Sequence, residues 1–277
     1  MAAIHETYEL NCGMRIPKIG LGTWMIDDDI VDRTVVEAVS MGYTHIDTAQ
    51  AYENERGVGH GIRMCKARRE DLFVTSKVDA DKKDYASAAA SIDRSLKDLG
   101  LDYLDMMLIH APQPWEEDDD SEDRYLEANV EVWRALEDAQ TAGKVHAIGV
   151  SNFDECDIQN ILDNCSVVPA VNQIQCHIGH TPLELIDFCR DHDILVEAFS
   201  PVAHGALLGR PELKRIAGKY EASVAALCVR YCLQLGTVAL PKATSVVHMA
   251  DNAHVNFEIS DEDMELLRNF EPVDYDV

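Results

Sequence analysis

Basic residues are scarce in this sequence of 277 residues. Only 24 Lys and Arg residues stand against 50 Asp and Glu residues, which gives a formal net charge of −26 at pH 7. A field of that sign repels phosphate groups, so the composition argues against a protein that binds nucleic acid or anionic membrane surfaces. With 47% hydrophobic residues, the chain still has enough apolar side chains for a large packed core.

The sequence also lacks the apolar segments and cysteine patterns that mark several other classes of protein. No run approaches the ~20 apolar residues of a membrane-spanning helix, and the first residues do not have the pattern of a secretory signal. The nearest cysteine pair, Cys228 and Cys232, lies one helical turn apart in an apolar stretch. We therefore expect reduced cysteines, no metal site and a cytoplasmic protein.

Acidic residues occur along the whole chain, with clusters at Asp27–Asp29 and Glu116–Asp120. Like charges at this density repel one another in dilute buffer, whereas at molar salt the Debye length falls to ~3 Å. The sequence therefore predicts a protein from a halophile, adapted to a cytoplasm of high salt concentration.

Predicted strands and helices alternate along the chain. The strands are predicted near residues 19–23, 43–47, 72–77, 104–109, 145–150, 170–175, 194–199 and 238–240. Helices are predicted between them, at 29–41, 55–66, 85–99, 124–142, 154–162, 183–191 and 223–235. Parallel pairing through right-handed crossovers follows, and eight such units are typical of a (β/α)8 TIM barrel. An open doubly wound sheet has the same alternation and is the competing fold.

Two further segments lie outside this alternation. Residues 8–16 are predicted to form an N-terminal β-hairpin with its turn at Asn11–Gly13. We also expect extra C-terminal helices, with the clearest pattern at 261–270. Because the composition shows no linker, we expect one α/β barrel domain over residues 1–277.

Polar residues follow the predicted strands at their carboxyl ends, where parallel barrels carry catalytic groups. Asp47, Lys77 and His110 end three strands, and Tyr52 follows the second strand. A lysine ammonium next to a phenol favours the phenolate, and a carboxylate next to the lysine keeps it charged. A neutral imidazole can orient a substrate oxygen by a hydrogen bond. Such a set can deliver a proton to a developing alkoxide, as hydride addition to a carbonyl requires.

Seven short motifs occur in the order and at the spacing typical of the aldo-keto reductase superfamily. They are G-Y-T-H-I-D-T-A at 42–49, A-Y-E-N-E at 51–55, T-S-K at 75–77, L-I-H at 108–110, G-V-S-N-F at 149–153, V-N-Q-I at 171–174 and P-K at 241–242. The chain resembles this family from about Tyr8 to Asn252, and its short tail is most similar to the prokaryotic diketogluconate-reductase-like branch. The resemblance implies a monomeric enzyme that reduces aldehydes or ketones to alcohols with NAD(P)H, with keto-sugars and diketones among the candidate substrates.

Position by position, the resemblance also implies roles for individual residues. Tyr52 corresponds to the general acid, Asp47 and Lys77 to the pair that lowers its pKa, and His110 to the group that orients the carbonyl. The implied cofactor-binding residues are Ser151, Asn152 and Gln173 at the nicotinamide carboxamide, Phe199 with Ser200 at the nicotinamide ring, and Lys242, His248 and Asn252 at the adenosine end. Trp24 corresponds to a residue that lines the substrate mouth.

The segment after the last strand departs from the family pattern. Where the family has a serine and an arginine, this chain has Ala243 and His248, and an imidazole is mostly uncharged at pH 7. Lys242 is retained as a partner for the 2′-phosphate. We therefore expect NADP(H) as the cofactor, with NAD(H) as the alternative.

The substrate side departs from the family pattern at the residue after His110. The family usually has a tryptophan there, and this chain has Ala111, which predicts a wider or reshaped pocket. Trp115, a few residues later, is a candidate replacement for the missing indole.

Three other functions compete with carbonyl reduction. A metal-dependent barrel hydrolase or isomerase needs histidine and carboxylate ligands, but no His-x-His ends a strand, and we expect His45 on the opposite strand face from Asp47. A Schiff-base aldolase needs a lysine of lowered pKa, which Asp47 would oppose at Lys77. A non-catalytic NADPH-binding redox sensor is the third alternative, and the complete Asp-Tyr-Lys-His set favours an enzyme over it. The glycines at 57–61 do not match a Rossmann fingerprint.

Overall fold

The described residues, 3–115 and 123–273 of the computed structural model, alternate between strands and helices. The strands are β1 (Thr7–Glu9), β2 (Arg15–Pro17), β3 (Leu21–Gly22), β4 (His45–Asp47), β5 (Phe73–Val78), β6 (Leu104–Ile109), β7 (Val145–Ser151), β8 (Val171–Gln175), β9 (Leu195–Phe199) and β10 (Val238–Leu240). The α-helices are α1 (Asp28–Ser40), α2 (Glu55–Met64), α3 (Tyr85–Leu99), α4 (Leu126–Thr141), α5 (Glu155–Asn164), α6 (Leu183–Asp191), α7 (Pro211–Lys219), α8 (Val224–Gln234), α9 (Val246–Ala253) and α10 (Asp261–Arg268). The acidic cluster at Glu116–Asp120 lies outside the described residues.

Strands β3 to β10 form one parallel sheet in which neighbouring strands follow each other in sequence order. The first and last strands of this sheet meet through two parallel bridges, Ile19 with Ala239 and Gly22 with Lys242. The sheet is therefore closed, and the predicted (β/α)8 TIM barrel is confirmed. A doubly wound sheet is excluded because it reverses its strand order and leaves two edges. None of the helices described combines the length and apolar character that crossing a membrane requires.

The predicted N-terminal hairpin is present, since β1 and β2 pair antiparallel. Ile16 of this hairpin is fully buried and belongs to one apolar cluster with Phe73, at the amino end of β5, and Met106, in the amino half of β6. The Asn11 side-chain amide donates a hydrogen bond of 2.9 Å to the carbonyl oxygen of Pro169, just before β8. The hairpin thus covers the amino end of the barrel and leaves the carboxyl ends of the strands for a site.

Two of the described helices are additions to the eight strand–helix units. α7 precedes α8 in the connection from β9 to β10, and α10 follows the last unit. The sequence analysis predicted α10 but placed no helix at α7 or α9. α7 carries Leu213, Ile216 and Ala217 at helical spacing, but it is short and otherwise polar, and α9 begins with the exposed Val246 and Val247, which belong to no buried face.

The glycines of α2 let this helix lie against the backbones of its neighbours. A Cβ atom added at Gly57 or Gly61 would collide with carbonyl oxygens of α1, and one added at Gly59 would collide with the carbonyl oxygen of Leu99 in α3. The glycine spacing at 57–61 therefore serves close helix packing next to the loop that carries Tyr52.

We expect Gly59→Ala to lower the free energy of unfolding by about 3 kcal/mol, because backbone atoms of α3 occupy the space of the new methyl group. Gly218→Ala in α7 is the matched control, since a Cβ atom there meets nothing within 4 Å. That control should gain about 0.5 kcal/mol from helix propensity. Urea unfolding of both variants measures the difference, and equal stabilities would contradict the packing role of Gly59.

Candidate active site

The centre of the site is a buried ion pair between strands β4 and β5. Asp47 ends β4 and Lys77 lies near the end of β5, and the Lys77 Nζ atom is 2.8 and 2.7 Å from the two carboxylate oxygens of Asp47. Lys77 also donates to the carbonyl oxygen of Thr48 at 3.1 Å. Lys77 is 0% exposed and Asp47 is 3% exposed, so the ion pair is shielded from bulk water.

Tyr52 reaches this ion pair from a loop that is itself fixed. The loop forms a short 3-10 turn, Gln50–Tyr52, and the phenol oxygen accepts a hydrogen bond of 3.1 Å from Lys77 Nζ. The fully buried Asn54 anchors the loop, since its amide nitrogen donates to the carbonyl oxygens of Thr23 and Ile26, both at 2.9 Å. The loop after β4 is thereby tied to the loop after β3.

His110 completes the group from the end of β6. Its ring lies edge-on to the Tyr52 ring, with 5.5 Å between the ring centroids. Burial and the Lys77 charge lower the pKa of His110 well below its usual value, so the imidazole is neutral. Its Nδ1 atom has no hydrogen-bond partner among the described residues. The structure thus brings together all four residues that the sequence analysis placed in the catalytic set.

The pKa of Tyr52 moves in the opposite direction from the expectation. Burial raises it above the usual value for a phenol, and the Lys77 charge and hydrogen bond act against burial without reversing it. For Lys77, burial acts to lower the pKa, but Asp47 and Tyr52 outweigh burial and the pKa is raised. Lys77 therefore stays charged, which is incompatible with a Schiff-base nucleophile, and Tyr52 stays protonated at neutral pH.

The expectation that His45 faces away from Asp47 was wrong, because residues two apart in a strand point to the same side. The fully buried His45 ring lies inside the barrel, with Nε2 3.1 Å from Thr75 Oγ1 and 3.8 Å from Glu197 Oε1. Burial and the Lys77 charge lower the pKa of His45 to about 3. His45 is therefore a neutral interior residue.

Sequence reasoning missed Glu197, which is fully buried in the middle of β9. The amide nitrogen of Gln173 bridges Glu197 and the catalytic set, because it donates at 2.9 Å both to Glu197 Oε2 and to Asp47 Oδ1. The signal was available in the sequence. Positions 195, 197 and 199 share the inward face of a barrel strand, where a carboxyl group is rare unless it has a partner.

The residues expected at the nicotinamide lie together on the rim of the barrel. The hydroxyl of Ser151 donates to the backbone carbonyl oxygen of Gln173 at 2.8 Å, and the side-chain amide of Asn152 donates to the backbone carbonyl oxygen of His110 at 3.0 Å. Phe199 ends β9 on the same side. Next to it, the Ser200 hydroxyl and His204 Nε2 are 3.1 Å apart.

The residues expected at the adenosine end line a separate cavity of about 440 Å³ beyond β10. Its lining includes Lys242, His248 and Asn252, and also Lys214 of α7, which the sequence analysis did not identify. Asp251 lines the cavity as well and accepts a hydrogen bond of 2.7 Å from the Ser223 hydroxyl. Two lysines and an amide beside a concave wall fit an adenosine phosphate.

The nicotinamide end fits a dinucleotide as well. Both N–H groups of the Gln173 side-chain amide are engaged by carboxyl groups, so this amide can bind a carboxamide only through its side-chain oxygen, as an acceptor. The residues of this chain therefore fit a nicotinamide dinucleotide that extends from Gln173 to Lys242.

The residues expected around the substrate flank His110 and the mouth of the barrel. Ala111 is buried, and the Trp115 ring lies edge-on to the His110 ring with 5.1 Å between centroids. Trp115 is 55% exposed, so it borders the opening and does not fill the interior. On another part of the mouth, the Trp24 ring packs against the His204 ring, with 4.9 Å between the ring centroids.

The part of the chain that the structure describes contains no ligand set for a metal ion. No group of three or more His, Cys, Asp or Glu side chains there is arranged to hold a metal ion. The eight cysteines are all free thiols, and Cys228 and Cys232 are buried in α8 as core residues.

Comparisons with known proteins agree with this geometry. The Aldo/keto reductase family matches residues 18–271. Glyoxal reductase from Bacillus subtilis is 38% identical over 265 residues, which cover 95% of this chain and 92% of that protein. An aldo/keto reductase from Brucella melitensis superposes with a TM-score of 0.88 at 37% identity, covering 95% of this chain and 97% of that one.

A further solved structure, an aldo-keto reductase from Bombyx mori in complex with NADP, superposes with a TM-score of 0.86 at 32% identity. The match covers 96% of this chain and 92% of the silkworm protein. Because the family match covers most of the sequence and the solved relatives share the barrel, this chain belongs to the aldo/keto reductase family.

Proposed function

We propose that this protein is an NADP(H)-dependent reductase that converts aldehydes or ketones to alcohols, with Tyr52 as the general acid. The observation that carries the proposal is the contact between Tyr52 and Lys77, whose ammonium also binds the Asp47 carboxylate. This arrangement supplies one proton and one fixed positive charge to a single point on the barrel rim, with the neutral ring of His110 beside it.

The protein groups divide the proton chemistry between them. The substrate carbonyl oxygen lies between Tyr52 and His110, and the neutral imidazole orients it by a hydrogen bond. As negative charge develops on that oxygen, Tyr52 gives up its proton, because an alkoxide is a much stronger base than a phenolate. Lys77 stabilises the phenolate that remains, and Asp47 keeps Lys77 charged and in place.

When bound, the nicotinamide supplies the hydride. The residues of this chain that would hold it are Gln173 and Asn152 at the carboxamide and Phe199 at the ring face. Lys242 and Asn252, in the cavity beyond β10, would hold the adenosine phosphate. Lys242 carries the preference for NADPH over NADH, with Lys214 as a second cation in the same cavity.

We infer that the substrates are small aldehydes and dicarbonyl compounds, including diketones and keto-sugars. The similarity to glyoxal reductase supports this class. Ala111 stands next to His110 where the family usually has a bulky side chain, and the Trp115 ring lies edge-on to His110 at the opening.

The general-acid role predicts that Tyr52→Phe lowers kcat for glyoxal reduction on the order of 10³-fold, because the phenol proton is removed while the ring is kept. The dissociation constant for NADPH, from quenching of tryptophan fluorescence, should stay within about twofold. Tyr103→Phe is the control, since that ring packs against Arg69 and His146 away from the site. Equal rates for Tyr52→Phe and the parent would refute the proposal, and NADPH binding without turnover of any carbonyl by the parent would favour a sensor.

The cofactor proposal predicts opposite effects at two positions of the adenosine cavity. Lys242→Met should raise KM for NADPH by about 10- to 100-fold and leave KM for NADH nearly unchanged, because only the 2′-phosphate loses a charged partner. His248→Arg should lower KM for NADPH, since it adds a fixed charge. Steady-state kinetics with both cofactors measure these changes. A parent enzyme with a higher kcat/KM for NADH would contradict the assignment.

We further propose that the protein is a monomer adapted to a halophile's cytoplasm. The net charge of −26 supports the salt adaptation, and the eight free cysteines support a reducing compartment.

This proposal predicts that the melting temperature rises by several degrees between low salt and ~2 M KCl, because screening relieves repulsion among the carboxylates. Sucrose is the control, since it favours the compact state without screening charge. A melting temperature that does not change with KCl, or that rises equally in sucrose, would count against salt adaptation.

A further inference from the structure

Glu197 has no part in the proton transfer described above, yet its carboxyl group lies next to the catalytic set inside the barrel. It is 0% exposed, and it lies on β9 two residues before Phe199. Its Oε2 atom accepts the hydrogen bond from Gln173, and its Oε1 atom has no hydrogen-bond partner among the described residues. A buried carboxyl group is costly, so its retention at this point requires an explanation.

The amide of Gln173 is held in one orientation by two carboxyl groups. One N–H of this amide points to Asp47 Oδ1 and the other to Glu197 Oε2, both at 2.9 Å. If the amide turned by half a revolution, its oxygen would face the Asp47 carboxylate, which cannot donate, and the hydrogen bond to Asp47 Oδ1 would be lost. The Gln173 oxygen is therefore presented as an acceptor.

The charges around Glu197 determine its protonation. The titratable groups that face it are His45, Asp47 and Lys77, and the first of these is neutral. Asp47 and Lys77 balance each other, so a second carboxylate would be an uncompensated buried charge. Burial and the Asp47 charge accordingly raise the pKa of Glu197 to about 8, with Gln173 and Lys77 acting in the other direction.

We propose that Glu197 is a positioning residue for the reduction, whose carboxyl group orients the Gln173 amide and thereby holds both the nicotinamide carboxamide and the Asp47 carboxylate in register. This inference rests on the proposed carbonyl-reductase function and extends it by one residue. Glu197 acts through Gln173 and does not touch the reacting atoms.

The protonation state of Glu197 gives this role a pH dependence. When Glu197 is neutral, the charges of Asp47 and Lys77 cancel and Glu197 adds none. Above about pH 8 the ionised carboxylate adds negative charge near Lys77 and Tyr52, which makes the phenol a weaker acid. Reduction should therefore slow as the pH rises through this range.

The test uses two substitutions of Glu197 and a matched control. Glu197→Leu fills the site but gives Gln173 no acceptor, so we expect kcat for glyoxal reduction to fall by about 10- to 100-fold and the NADPH dissociation constant to rise. Glu197→Gln retains an acceptor oxygen and should recover most of that loss. Asp105→Leu is the control, because Asp105 is another buried carboxyl group but bonds to Arg69 and the Val74 backbone, away from Gln173. This control should lose stability without a change in NADPH binding.

The pH profile separates a positioning role from a merely structural one. In the parent, kcat should fall at alkaline pH with an apparent pKa near 8. In Glu197→Gln, the same fall should occur at a pH higher by about one unit or more. Unfolding provides a readout without cofactor. Because the folded pKa is raised above the usual 4.5, the parent's stability should fall as the pH rises from that value to about 8, and Glu197→Gln should not show this loss.

The proposal is overturned if Glu197→Leu binds NADPH and reduces glyoxal like the parent, or if Glu197→Gln keeps the fall in kcat near pH 8. If Glu197→Leu does not fold, the pH profile of Glu197→Gln decides. If the parent reduces no carbonyl, the proposed function fails separately, and the NADPH dissociation constants of the variants still decide the role of Glu197.

Discussion

The structure depends on one interaction, the buried ion pair between Lys77 and Asp47. Transfer of two ions out of water costs several kcal/mol each, and only close geometry and further hydrogen bonds offset that cost. Here the ammonium contacts both carboxylate oxygens, a carbonyl oxygen and a phenol. The pair therefore holds Tyr52 in place, and it also fixes the charge state of its surroundings. His45 and His110 are kept neutral, in part because each lies close to the Lys77 ammonium.

The barrel makes this ion pair possible because parallel strands bring side chains from distant parts of the chain to one rim. Asp47 and Lys77 are 30 residues apart in sequence, and the register of β4 and β5 pairs Asp47 with Thr75, two residues before Lys77, which brings the two side chains into contact. Gln173 then joins β8 to the same cluster. Such a cluster can be rigid because each member stands on a strand, while the one loop residue, Tyr52, is held by the buried amide of Asn54.

Much of this arrangement could be predicted from the sequence. The strand–helix alternation predicted the barrel, since apolar runs ending in single polar residues mark the carboxyl ends of strands. The four catalytic candidates followed from those ends. The net pKa of Tyr52 could not be predicted, because it depends on how far burial outweighs one charge, and burial is a property of the folded loop. The position of His45 was predictable from strand alternation, and the error there came from applying the alternation wrongly.

Other features depended on contacts that the sequence does not show. Lys214 is an exposed residue of the short helix α7, and only the folded chain brings it to the cavity that contains Lys242. The inward position of Glu197 could be predicted from strand alternation, but its role could not, because its partner Gln173 comes from another strand.

The two ends of the proposed cofactor site differ in a way that has consequences for specificity. Around Gln173 the side chains of Asp47, Lys77 and Glu197 are buried and joined through hydrogen bonds, so a substitution there disturbs several contacts at once. Around Lys242 and His248 the side chains are exposed and lie at the edge of a cavity. In the proposed mechanism, a change of charge at that end alters the preference between NADPH and NADH without disturbing Tyr52. The departure from the family pattern at His248 therefore lies where the fold tolerates it, at the exposed edge of the cavity and away from the buried Asp47–Lys77 pair.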